Sequence, residues 1–364
     1  MSLYAWGANS YGQLGLGYKS EEEISPKEIS LKGSELNARD IVCITGGAGH
    51  TLILDCHGFV YCCGWNSKGQ LGLSDDTVKL TQIEILKEFK IVEISCGWDF
   101  SAAVSECGKQ FVWGNNQYTQ LGLSKSITCT GIPSRLQVSQ KLATGFKKVS
   151  CGLRHSAMIT KERGLLVAGT GAKGQLGLGD NFDDNNYLSI TRLPELEDVI
   201  SVASGQNHTL ALRENGTVLS WGENKFGQLG IAPNVASSFI PLEVFCLEGL
   251  ENVYAGWTHS AAITRNGEVY TWGRDTYGQL GSPRDVPSKP EKIRTLDKVR
   301  QLSLGSEHNL AVTTDNKLYT WGWNEHGGCG TGDKKEVRTP TQILDNRSVR
   351  LAFACTGSSF AVLN

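Results

Sequence analysis

Five histidines stand in one recurring phrase, Gly-x-x-His, at Gly47–His50, Gly152–His155, Gly205–His208, Gly256–His259 and Gly305–His308. Imidazoles repeated at fixed spacing invite a metal reading. Zinc, however, needs three or four N, S or O ligands around one ion. No Cys or carboxylate accompanies these histidines at ligand spacing, and five equivalent positions would form a ring too wide to share an ion. A buried imidazole bonded to neighbouring backbone is the expectation. The literal G-x-G-x-x-G at Gly169–Gly174 is followed by no helix signal, so it predicts no dinucleotide site. The acidic stretch Asp180–Asn186 lacks the glycine and terminal glutamate of a calcium loop and reads as solvated. There is no G-x-x-x-x-G-K-[ST] and no G-x-S-x-G. The sequence predicts no metal, no cofactor and no covalent catalysis.

The elements that carry these residues repeat. A second phrase, "WGANSYGQLGLG" at its first occurrence (Trp6–Gly17), returns with variations at Cys63, Trp113, Ala168, Trp221, Trp272 and Trp321. Two degenerate copies of the histidine phrase end in Phe100 and Phe360. In all six internal copies the Trp position lies 13 residues after the His or Phe, and the unit recurs every 49 to 57 residues. That period suits the blades of a propeller. Within a unit, "HTLALRENGTVLSWG" and "HSAAITRNGEVYTWG" alternate apolar and polar residues as strand–turn–strand, and Asn266–Gly267 predicts a tight turn with two positive-φ residues. A β-rich run precedes each Gly-x-x-His and another follows near a proline, giving four strands per unit.

The first copy has no Gly-x-x-His before it and the last, "GSSFAVLN", no Trp-Gly after it. Six whole units and two halves predict an all-β, seven-bladed propeller of residues 1–364. Its N-terminal half-repeat (1–17) completes the blade begun by 345–364, closing the ring without an open sheet edge. Trp-Gly and Gly-Gln-Leu-Gly then belong to blade packing and turns, because a feature of every blade cannot mark one as the site.

Bulk composition fits. Glycine makes up 43 of 364 residues, about 12% against a usual ~7%. Lys and Arg number 35 against 37 acids, which argues against an electrostatic nucleic-acid or membrane binder. No apolar run reaches the ~18 residues of a membrane helix, and "MSLYAWGANS" lacks signal-peptide character. Eleven cysteines with no C-x-x-C predict reduced, mostly buried thiols in the cytoplasm, with the nucleus as a second location.

Seven tandem copies of these phrases across the whole chain identify it as resembling the regulator-of-chromosome-condensation repeat family. The resemblance implies a propeller that docks a small GTPase on one face and promotes nucleotide release. It also implies a small GTPase or secretory-pathway protein as partner. The family founder's β-wedge has no evident counterpart, and a first blade motif that starts by residue 4 predicts no counterpart of its basic chromatin-binding tail.

A specific surface must break the ring's pseudo-symmetry, so the two residues before each His or Phe are informative. The first reads Ala48, Trp98, Leu153, Gln206, Trp257, Ser306 and Ser358; the second reads Gly49, Asp99, Arg154, Asn207, Thr258, Glu307 and Ser359. Aromatics and Arg among polar groups favour protein recognition. Trp98, Asp99, Arg154, Asn207, Trp257, Thr258 and Glu307 are the candidate partner-binding residues, with Trp65 and Trp323 beside them. Asp99 and Glu307 are candidates to compete for a GTPase's Lys or Mg²⁺. The leading expectation is a monomeric interaction propeller with exchange activity. A non-catalytic scaffold is the alternative. A third, a UV-B-sensing homodimer, is disfavoured because Trp and Arg are too sparse at these positions.

Overall fold

The hairpin turns already show how the chain departs from the simplest sequence reading. Strands His259–Thr264 and Val269–Gly273 are joined through a Gly267 N–H to Thr264 C=O bond of 2.9 Å and a Thr264 N–H to Glu268 C=O bond of 2.9 Å. Gly267 has φ +79°, whereas Asn266 is not in the positive-φ region. The turn is therefore a three-residue loop ending in a glycine bulge. One left-handed residue suffices where a two-residue turn would need two, which corrects the expected pair.

The computed structural model describes residues 1–179, 190–231, 235–245, 247–284 and 287–364; Asp180–Asn186, weighed above as a cation loop, lies outside them. Twenty-eight strands run from β1 (Ser2–Ala8) and β2 (Glu22–Glu28) to β27 (Val349–Ala354) and β28 (Ser358–Leu363). They form seven four-stranded antiparallel sheets. Numbered along the chain, blades 1 to 6 cover residues 41–82, 91–135, 146–193, 199–244, 250–292 and 299–343. Blade 7 orders its strands β2-β1-β28-β27, so the two ends of the chain share one sheet. There Trp6 lies opposite Ser359 and Tyr4 opposite Ala361. The ring closes as the half-repeats require, and the fold is the expected all-β propeller.

Seven apolar clusters sit between blades rather than in one central core. Between blades 4 and 5, for example, Leu210, Leu212 and Val218 pack on Leu250, Val253, Ala262 and Trp272. The Trp-Gly tryptophans, Trp6, Trp113, Trp221, Trp272 and Trp321, are all fully buried there. Each removes on the order of 200 Å² from water, on the order of 5 kcal/mol gross by apolar-area bookkeeping. Each following glycine is obligatory: Gly322, after Trp321, has φ +112°, and a Cβ on it would lie 2.4 Å from the Glu307 carbonyl oxygen.

The repeated polar residues join neighbouring blades through one shared acceptor. His50 Nε2 of blade 1 lies 3.0 Å from Ser101 Oγ of blade 2, and that hydroxyl donates to the Gln70 carbonyl of blade 1 at 2.8 Å. The Trp113 indole N–H of blade 2 donates to the same carbonyl at 2.8 Å. The arrangement recurs as His155–Thr209–Gln175–Trp221, His208–Ser260–Gln228–Trp272 and His259–Asn309–Gln279–Trp321. His308–Ser359–Gly328–Trp6 completes the set. The histidines are thus buried, as expected, but their Nε2 bond runs to a side chain of the next blade rather than to backbone. Since each hydroxyl spends its proton on a carbonyl, Nε2 must be the donor. Blades without the standard residues improvise: Cys63 Sγ stands 3.3 Å from the Gln13 carbonyl where a tryptophan would be.

The ten described cysteines are all free, and Cys62, Cys63, Cys96, Cys151, Cys329 and Cys355 are buried. No helix among the described residues is long and apolar enough to cross a membrane.

Candidate partner-binding face

Six Gly-x-x-[His/Phe] turns and, in blade 7, the Cys355–Ser358 turn open onto one mouth of the channel, because each joins the inner strand of its blade to the next strand outward. Ser358, opposite Gly7 and with its carbonyl accepting the Cys355 N–H at 2.8 Å, takes the histidine place that the sequence reading gave to Phe360, so the two rim residues of blade 7 are Thr356 and Gly357 rather than Ser358 and Ser359. Backbone bonds belt this mouth from blade to blade. Ala48 N–H reaches Trp98 C=O at 2.9 Å, Trp257 N–H reaches Ser306 C=O at 2.7 Å, and Ser306 N–H reaches Thr356 C=O at 3.1 Å. The turns are therefore a fixed rim. The channel wall below spends its hydroxyls similarly: Ser95 Oγ accepts the Cys151 N–H at 3.0 Å and Ser303 Oγ the Ala354 N–H at 2.9 Å.

Trp98 of blade 2 and Trp257 of blade 5 meet over the channel itself, with ring centroids 5.3 Å apart and planes inclined by 40°. Neither indole packs merely on an adjacent blade. Together with the ends of the inner strands they bound a space of about 170 Å³ that reaches Cys96, Cys151 and Cys355. Trp98 keeps 37% of its surface exposed.

Around this pair lie further aromatic groups. Tyr11 stacks on Trp65 at 5.1 Å, and Trp323 meets Tyr277 at 6.2 Å and His326 edge-on at 5.2 Å. The Arg154 guanidinium lies 4.4 Å from the Tyr118 ring centre. Arg274 lies 4.9 Å from Phe226 and 4.8 Å from Tyr277. The sequence reading placed Trp65 and Trp323 here but passed over Tyr11, Tyr118, Phe226, Tyr277 and His326. All five occupy one place, two residues before the Gln position, where blades 1 and 3 carry Lys68 and Lys173. That variation was readable, yet it sat inside a phrase assigned wholly to architecture.

The polar candidates divide into two groups. Arg154 is exposed, and Asn207 is half-buried with its amide donating to Glu223 at 3.2 Å. Asp99, Thr258 and Glu307 are buried. Asn115 Nδ2 donates to Asp99 at 2.7 Å. Burial pushes the Asp99 carboxyl up, opposed by the Asn115 bond and by the charges of Lys68 and Arg154. Glu307 accepts from Thr258 Oγ1 at 2.5 Å and from Gln279 Nε2 at 2.6 Å. Its carboxylate also stands 3.6 Å from His259 Nδ1 and 4.0 Å from Arg274 Nη1. Both Glu307 oxygens are thus engaged within the protein, and Glu307 ties blade 6 to blade 5.

The fold and the site together define a closed-ring β-propeller with a rigid mouth of aromatic and cationic side chains. Residues 2–363 match the RCC1-like domain, and the chain belongs to that family. It is similar to the secretion-regulating guanine nucleotide exchange factor of Mus musculus, at 35% identity over 309 residues (80% of this chain, 63% of that protein). The Bos taurus counterpart is 34% identical over 293 residues (77% and 61%). The ultraviolet-B receptor UVR8 of Arabidopsis thaliana is 33% identical over 303 residues (80% and 65%). The chain spans less than two thirds of the length of these relatives. Among solved structures, Prp20p of Saccharomyces cerevisiae, studied for its binding to Gsp1p and histones, superposes with a TM-score of 0.88 at 23% identity, covering 100% of this chain and 91% of that one. Human WBSCR16 gives 0.85 at 22%, covering 100% of both chains.

Proposed function

We propose that this mouth is the docking face for a small GTPase of a secretory pathway, and that docking promotes release of guanine nucleotide. The observation that carries the reading is the Trp98–Trp257 pair, half-exposed on a rigid rim and flanked by Arg154, Arg274 and aromatic rings. Desolvated Trp, Tyr and Arg clusters dominate binding energy at protein interfaces. The relationship to the secretion-regulating exchange factors of mouse and cow supports the choice of partner.

Exchange requires no covalent step. A propeller that binds the nucleotide-free GTPase more tightly than the loaded form weakens nucleotide binding by the same factor. Burial of Asp99 and Glu307 gives them a positioning role: Glu307 fixes Thr258 and the Gln279 turn beside Tyr277, and Asp99 fixes Asn115 near Arg154. The same burial favours a second reading, a scaffold that binds without catalysing exchange, because neither acid is free to displace Mg²⁺.

The deciding experiment is release of fluorescent GDP from a panel of purified small GTPases, with and without the protein. Acceleration on one member supports exchange and identifies the substrate. Stable capture of a nucleotide-free GTPase without acceleration supports the scaffold. Neither capture nor acceleration by folded protein would overturn the docking proposal.

A further inference from the structure

On the face opposite the aromatic mouth, all seven blades are closed by the same backbone bond. In blade 1 the Cys56 N–H donates to the Asp40 carbonyl at 2.8 Å. The equivalents are Glu106 to Lys90 at 2.8 Å, Lys161 to Gly145 at 2.9 Å and Glu214 to Asp198 at 2.9 Å. Arg265 to Gly249 at 3.0 Å, Thr314 to Lys298 at 2.9 Å and Asn364 to Ser348 at 3.0 Å complete the series. The side chains at this latch differ. Blade 2 fills it with an ion pair, Lys90 Nζ to Glu106 Oε1 at 2.6 Å. In blade 4, Glu214 pairs with Arg163. Blade 1 instead brings together a carboxylate, a thiol and an imidazole.

The donor atoms of Asp40, Cys56 and His57 all lie within 4.8 Å of one another, the one such trio among the described residues. His57 Nε2 is 3.8 Å from Asp40 Oδ2, too long for a hydrogen bond. Cys56 and His57 are exposed, so an ion could enter without opening the blade.

The backbone beneath the trio is held in advance. Asp55 Oδ1 accepts the N–H groups of His57 at 3.0 Å and Phe59 at 2.8 Å, which fixes the turn carrying Cys56 and His57. Gly58, at φ +92°, closes that turn with an N–H to the Asp55 carbonyl at 3.1 Å. Asp40 ends a short 3-10 turn, Ala38–Asp40, capped by Asn37. Arg350 of blade 7 grips the same turn through the carbonyls of Ala38 at 3.1 Å and Ile41 at 2.7 Å. Ligand turns that are already ordered spare much of the entropy that binding would otherwise cost.

We propose that Asp40, Cys56 and His57 form a binding site for a divalent cation of the zinc class, with a fourth position open to water or to a ligand from a partner. One thiolate, one imidazole and one carboxylate make a borderline-soft donor set that suits Zn²⁺ or Co²⁺. A single hard oxygen is too few for Ca²⁺ or Mg²⁺, which take mostly oxygen ligands. With metal–ligand bonds of ~2.0–2.3 Å, tetrahedral donors stand roughly 3.3–3.8 Å apart. Modest side-chain rotation from the present spacing closes the site. It lies across the ring from the proposed docking face, so the two stand or fall separately.

The test uses the full chain, reduced, with Cys107, Cys129 and Cys246 replaced by Ser and Cys56 kept. Cobalt(II) is titrated and the near-ultraviolet thiolate-to-cobalt charge-transfer band is followed. The band should saturate at about one equivalent and vanish on adding zinc. Cys56→Ser should abolish it. His57→Ala and Asp40→Asn should each weaken binding by more than the roughly 10- to 100-fold that follows loss of a residue merely supporting a metal ligand. Circular dichroism confirms that each variant is folded. Absence of the band in the folded background protein would overturn the site. So would a band of unchanged strength in Cys56→Ser.

Discussion

Trp98 and Trp257, 159 positions apart in the chain, hold their ring centroids 5.3 Å from one another across the channel mouth. Blades 2 and 5 are not neighbours, so this contact exists only because the ring closes with the curvature it has. Two large indoles then form the centre of one face instead of decorating two separate blades. The pair itself is worth about 1 kcal/mol beyond the area it buries, a small share of a domain's stability. Trp98→Ala and Trp257→Ala should therefore leave a cooperative thermal transition lowered by only a few degrees. Capture of the GTPase should fall by about 30-fold, the loss expected at a ~2 kcal/mol hot spot. Wild-type affinity in both variants, measured by biolayer interferometry, would remove this face from the proposal.

Glu307 answers to a different measurement. Glu307→Ala strips the acceptor from Thr258 Oγ1 and Gln279 Nε2 in a buried setting. A cost of roughly 1–3 kcal/mol is expected, as for other orphaned buried donors. Glu307→Gln keeps the shape and one acceptor and should cost less. Urea denaturation should rank wild type above Gln and Gln above Ala. Equal midpoints for all three would mean that the inter-blade tie is energetically idle.

The histidine latches make the fold acid-sensitive. Burial holds His50 and His208 down to about 3 and His155 and His308 down to about 4. Nδ1 of His50, His155 and His208 has no hydrogen-bond partner, so nothing receives a proton added there. In the unfolded chain each imidazole titrates near 6.5. Between these values the unfolded state binds more protons, so the contribution is full above pH 6.5 and is lost as pH falls toward 3–4. At pH 5 each of the four costs about 2 kcal/mol. Melting temperature should fall steeply below pH 6. His50→Gln should flatten that dependence even while lowering stability at pH 7.5.

The relationship to UVR8 raises photoreception as an outcome to exclude. Among the described residues, cations over aromatic rings at the mouth amount to Arg154 on Tyr118, Lys225 on Phe226, and Arg274 on Phe226 and Tyr277. The central tryptophans face each other within one chain. Elution volume on size exclusion should be the same before and after UV-B illumination. A shift from dimer to monomer under light would replace the docking proposal.

The repeat made most of the fold legible because each blade solves the same packing problem with the same residues. Trp, Gly and the Gln carbonyl recur where neighbouring blades meet, and a 13-residue step fixes the hairpin. The candidate face was half legible. Trp98, Trp257 and Arg154 stood out because they broke the repeat, whereas Tyr118, Phe226 and Tyr277 hid inside the repeated phrase. Asp99, Thr258 and Glu307 were singled out by the same logic, but position in a repeat carries no information about depth. Glu307 is buried because Gln279 and Thr258 of the preceding blade close over it.

What the sequence determined by itself, then, is whatever local alternation and nearest-neighbour packing can specify: seven all-β blades, the hairpin register of six of them, and closure through β1 and β28; in blade 7, which lacks the histidine, Ser358 and not Phe360 stands opposite Gly7. Those interactions recur every 49 to 57 residues, so a single chain displays them repeatedly. What only the tertiary structure decided are particular side-chain meetings: the tryptophan pair over the channel, the engagement of Glu307 between blades 5 and 6, and, within blade 1, the meeting of Asp40 with Cys56 and His57. These depend on ring curvature and on which side chains face each other across gaps, quantities that the order of residues along one strand does not fix.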